Sequence, residues 1–149
     1  MGLMDGLIAF WTARLDEAER TAKAAKEPLS GRWHIDTDGN VQDEDTGGGG
    51  SAYIACGPWG GGIADADAAH IAANDPASAL ADVAADRALI DLYARAKTYR
   101  DQVFSSRPEP RSISDEMRAV TQMLALEQVI KVRAARFSAH PDYRQEWAR

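Results

Sequence analysis

Cysteine occurs once, at Cys56, so the chain can build neither an intramolecular disulfide nor a thiolate zinc site with CxxC spacing. No apolar run approaches the roughly 18 residues that span a bilayer, and the N-terminus has no basic segment followed by an apolar one. Cations are outnumbered: 17 Lys and Arg stand against 23 Asp and Glu. The formal charge of -6 argues against a general nucleic-acid binder, which needs clustered cations on phosphates, and is too small for a DNA mimic. No GxSxG elbow, GxGxxG turn or HExxH helix is present. These absences predict a soluble cytoplasmic protein with no membrane or nucleic-acid partner.

What is present is globular composition, 45% hydrophobic and 27% charged, in 149 residues. That length predicts a single domain, 1–149, able to bury about two-thirds of its unfolded surface. Met4, Leu7, Ile8, Trp11, Leu15, Ala18, Ala22 and Ala25 recur at spacings of three and four with charges between them, which predicts an amphipathic helix ended by Pro28. Trp11 lies in the apolar stripe and reads as core. Arg32 to Thr37 alternates, Asp38-Gly39 is a two-residue turn signal, and Asn40-Val41-Gln42 follows, which predicts a β-hairpin. Its acids do not fit a calcium loop, because Gly39 comes too early for the EF-hand spacing. A flexible connector is expected near 42–51, and Ala52 to Cys56 reads as a third strand with Cys56 as a small buried hydrophobe. Trp59, flanked by Pro58 and three glycines, is either pinned over the core or presented to a partner.

Asp65 to Ala73 predicts a short helix. Asp75-Pro76 then starts a long one, with Asp as N-cap and Pro at the first helical position. A Pro-bearing connector is expected near 105–111, with Ser112 or Ser114 capping a third long helix through about Ser138. The apolar surface of that helix is wide enough to meet two layers or a second subunit, so a homodimer is one expectation. Pro141 opens a terminal turn that sets Tyr143 and Trp147 on one face, which reads as a latch against the core.

Several of these stretches carry a resemblance. Ala13-Arg14-Leu15-Asp16-Glu17, Tyr53-Ile54-Ala55, Asp67 through Ala77 with its His70-Ile71-Ala72-Ala73-Asn74-Asp75-Pro76 core, and His140-Pro141-Asp142-Tyr143-Arg144-Gln145-Glu146-Trp147 resemble an uncharacterised family of short proteins from actinobacteria and their phages. Between about Gln102 and Arg118 this chain lacks the cysteine-containing insert of many relatives, and with it any metal role of that insert. Phage accessory proteins with a similar Ile-Ala-x-x-Asp-Pro motif often carry an aromatic at the position of His70. The resemblance therefore implies that His70 is a packed planar side chain. It supplies relatives and a phage or actinobacterial setting, but no chemistry.

The fold expected is α+β: three long helices, one short helix and a small antiparallel sheet of two or three strands. A mainly α domain with a minor hairpin is the alternative. The function expected is a small phage-type accessory or regulatory protein that binds a protein partner, with no catalysis and no cofactor. Trp59, Tyr143 and Trp147 are the candidate contact residues. The alternative is a metal-assisted hydrolase on His34, His70 and His140, whose wide spacing makes them weak ligand candidates.

Overall fold

Asp36, Asp43 and Asp75, with Gly31 and Gly39, hold turns between the helices and strands of the described residues. A computed structural model describes residues 2–27, 29–45, 52–58, 61–105 and 113–148. In chain order they form α1 (Leu3–Lys26), β1 (Trp33–Ile35), β2 (Val41–Asp43), β3 (Tyr53–Ala55), α2 (Asp65–Ala73), α3 (Pro76–Ser105) and α4 (Ile113–Ala134), then 3-10 turns at Ala135–Phe137 and Gln145–Ala148. The architecture is α+β, with three long helices, one short helix and an antiparallel sheet in the order β1-β2-β3. Contacts divide the chain into two units: 1–15 with 85–149, and 16–84.

In the 16–84 unit, β1 and β2 pair from Trp33↔Asp43 to Ile35↔Val41, so the hairpin loop is 36–40 rather than the two-residue turn expected at Asp38-Gly39. The reason is Asp36. Its Oδ1 accepts the N–H groups of Asp38 at 2.9 Å and Asn40 at 2.8 Å, while Oδ2 accepts Gln42 Nε2 at 2.5 Å. With the backbone bonds from Asp36 N–H to Asn40 O at 2.9 Å and from Gly39 N–H to Asp36 O at 3.2 Å, this side chain closes the loop as an Asx turn does. Gly39 takes φ of 78°, which an L side chain rarely adopts.

Asp43 is fully buried at the end of β2, where it gathers the chain between α1 and β1. It accepts Ser30 N–H at 3.0 Å, Ser30 Oγ–H at 2.6 Å, Gly31 N–H at 2.8 Å and Asp45 N–H at 2.9 Å. Asp75 does similar work at the start of α3. Its Oδ1 caps Ser78 N–H at 2.6 Å, as the Asp-Pro pattern predicts, and its Oδ2 accepts Trp33 N–H at 3.2 Å, fastening β1 to the helix start. Beside it, Gly31 O accepts Ala77 N–H at 3.0 Å with Gly31 at φ 74°, and a Cβ there would lie 2.7 Å from Lys26 Cγ and 3.3 Å from Pro76 Cβ. Gly31→Ala should therefore cost about 1–2 kcal/mol from the left-handed backbone alone, read as a lower urea midpoint with an unchanged slope.

The 1–15/85–149 unit is helical. Leu7, Trp11 and Leu15 from α1 are fully buried, with Tyr93 and Ala96 from α3 and Ala119, Met123, Ile130 and Ala134 from α4. Trp11 is thus core, as its stripe predicted. Asp5 Oδ1 takes Lys97 Nζ at 3.0 Å, and that bond holds its carboxyl below the ordinary value. The terminal segment folds back on α1: Phe10 has the rings of His140, Tyr143 and Trp147 at 5.5, 5.8 and 5.2 Å. Edge-on and tilted aromatic contacts of this kind add stability beyond the area they bury. Among the described residues no helix is long and apolar enough to cross a membrane.

Candidate interaction surface

The buried acids are already engaged by the fold. Burial by itself would push the Asp43 carboxyl up, but the bonds from Ser30 Oγ, Asp45 N–H, Ser30 N–H and Gly31 N–H outweigh it and the net shift is down. Asp75 follows the same pattern: burial opposes, Ser78 and Trp33 N–H and the Arg32 cation prevail, and the shift is down. Asp36 is lowered chiefly by the Asn40 N–H. A carboxylate stabilised this way is a strong acceptor and a poor general base.

In the helical unit the buried acid is Asp86, wholly enclosed on α3. Arg133 approaches its Oδ1 with Nε at 2.8 Å and Nη2 at 2.6 Å. Arg136 Nη2 stands 2.7 Å from Oδ2, off the line of a hydrogen bond, so that contact is ionic. One carboxylate thereby pins α3 to the end of α4 and the turn after it. Tyr93 donates to Glu127 Oε1 at 3.2 Å, and burial followed by the Glu127 charge pushes its hydroxyl up to about 12.

The residues singled out from the sequence fall as follows. His34 is exposed on β1 and His70 is exposed on α2, so His70 is not the packed side chain expected; it lies on the outward side of α2, whose buried residue is Ala68. His140 belongs to the helical unit, with Arg14 Nη1 2.5 Å from its Nε2. No group of three or more His, Cys, Asp or Glu side chains among the described residues is placed to hold a metal. Cys56 is exposed rather than buried, one residue past the end of β3 at Ala55. Trp59 lies outside the described residues. Tyr143 and Trp147 are 7% and 3% exposed and turn inward onto Phe10.

The outward face of α4 is different. The helix buries Ala119, Met123, Ile130 and Ala134 along one side. On the other it leaves Ile113, Met117, Leu124 and Val132 exposed by 78, 64, 48 and 73%. A shallow groove beside Met117 runs along Thr121 and Ala125, and another lies at Val129 and Val132. Single exposed apolar residues are ordinary; here they follow one another along one helix face.

The family model described as "Family of unknown function (DUF6221)" matches residues 4–149. The chain belongs to DUF6221. No curated protein and no solved structure matches it. The DUF6221 match covers both units, so the sheet with its Asp36, Asp43 and Asp75 turns and the helical unit with Asp86 fall within one family segment. The sequence held one unread signal for the ion cluster of this DUF6221 chain: Asp86 interrupts the apolar series Val83, Ile90, Tyr93 at a spacing that faces inward. A charge at such a position requires a partner, and the paired arginines at positions 133 and 136 supply it.

Proposed function

We propose that the protein is a small accessory or regulatory protein that acts in the cytoplasm by binding another protein and performs no catalysis. The exposed apolar row on α4 carries this reading, since it offers contact area on a rigid helix, where an amphipathic segment is recognised through residues three and four apart. Support comes also from the acids: Asp36, Asp43, Asp75 and Asp86 are each committed to turns, caps or an internal ion cluster. The resemblance to proteins of actinobacteria and their phages makes a host protein the partner to seek.

The test is affinity capture from host lysate with the full chain, comparing wild type with Met117→Glu/Leu124→Glu. A specific partner should be retained by the wild type and lost at least tenfold by the variant, because a charge placed in a desolvated contact costs well over 1.4 kcal/mol. Matching circular dichroism spectra will show that both chains are folded. Equal recovery of the same partner by both chains, or recovery of none, overturns the reading.

A further inference from the structure

We propose that the outward face of α4 is the seam of a homodimer in which two copies of the helix pack antiparallel. The inference rests on the reading of that face as a protein-binding surface and names a second copy of this chain as its occupant.

The first ground is spacing. Ile113, Met117, Thr121, Leu124, Gln128 and Val132 follow one another at intervals of four, four, three, four and four residues. Intervals of three and four keep side chains on one broad helix face. All six are exposed, and none is charged. The series also reads the same from either end. A reversed copy therefore sets Ile113 against Val132, Met117 against Gln128 and Thr121 against Leu124, about a twofold axis midway between Thr121 and Leu124. That is the self-complementarity an isologous contact requires.

The second ground is charge. α4 carries Asp115 and Glu116 in its first turn and Lys131 and Arg133 in its last. Antiparallel packing places the acidic end of each copy on the basic end of the other and opposes the two helix dipoles; parallel packing would set like charges together. A seam of six side chains per copy is small, so association in the micromolar range is expected. A host protein that recognises the same row would compete with it.

The test is sedimentation equilibrium of the full chain up to about 200 µM. Wild type should pass from monomer to dimer. Leu124→Glu should stay monomeric to at least tenfold higher concentration with an unchanged circular dichroism spectrum. Lys131→Glu should weaken the dimer severalfold, and adding Glu116→Lys should restore it. In a Cys56→Ser background, Ile113→Cys/Val132→Cys should oxidise to a covalent dimer while Ile113→Cys alone does not. A monomer throughout, a dimer indifferent to Leu124→Glu, or crosslinking by Ile113→Cys alone overturns the proposal. A monomeric wild type whose captured partner is still lost from Met117→Glu/Leu124→Glu overturns the dimer and leaves the protein-binding reading standing.

Discussion

Arg133→Ala combined with Arg136→Ala should lower stability by about 3–5 kcal/mol, the cost of leaving a buried charge without compensation. Asp86 is wholly enclosed, and these two guanidiniums are the cations that approach its oxygens at 2.6 to 2.8 Å. The arginines are 40 and 35% exposed, so they can return to water when the carboxylate is removed; the carboxylate cannot when they are. The order of the variants follows. Asp86→Ala alone should cost about 1–2 kcal/mol, for lost packing and for contacts whose half-exposed arginine partners return to water. Adding it to the double arginine variant should recover most of the loss, because the uncompensated charge disappears. Urea denaturation of the four chains decides the matter. If Asp86→Ala costs as much as the double arginine variant and the triple variant recovers nothing, the cluster is held by something other than charge compensation.

Asp43→Ala is expected to cost about 3–4 kcal/mol, since it deprives three buried or half-buried N–H groups and the Ser30 hydroxyl of their acceptor, at about 1 kcal/mol or more each. Asp43→Asn retains one carbonyl oxygen and should cost about half as much. The loss should fall on the 16–84 unit, where amide exchange at Ser30, Gly31 and Asp45 should speed up first. A pH signature accompanies it. Asp36, Asp43 and Asp75 are all held below the ordinary carboxyl value of 3.8 in the folded chain. A depressed carboxyl binds fewer protons folded than unfolded, so its stabilising contribution is complete above 3.8 and is lost as pH falls through the lowered folded value. The unit should therefore be flat in stability above about pH 5 and fall steeply below about pH 4. Asp43→Asn should make that fall shallower. A wild-type profile flat down to about pH 2 would exclude the carboxylate account.

The DUF6221 chain shows how far a single sequence reaches. Periodicity and capping were enough for α1, α2 and α3, whose limits follow from local facts: an apolar stripe at three and four, acids in a first turn, Asp75 before Pro76. The three strands were legible too, because glycine and polar runs bound them. The hairpin loop is longer than the turn signal predicts, because Asp36, a side chain outside that signal, accepts bonds from Asp38, Asn40 and Gln42. His70 and Cys56, expected inside, are exposed: on α2 the residue turned inward is Ala68, and Cys56 lies just past the end of β3.

The sequence by itself determined the helices, the small sheet, the cap at Asp75 and the membership shown by a match across residues 4–149. Those features depend on spacing, backbone conformation and composition, which act within a few residues. Only the tertiary structure decided which carboxylates are enclosed, that Phe10 is what the Tyr143 and Trp147 latch meets, and which side of α4 is exposed. Burial depends on what packs from far along the chain, and α4 is apolar on more than one side. Its pattern predicts a wide apolar face, and the packing of Met123 and Ile130 inward leaves Met117, Leu124 and Val132 exposed.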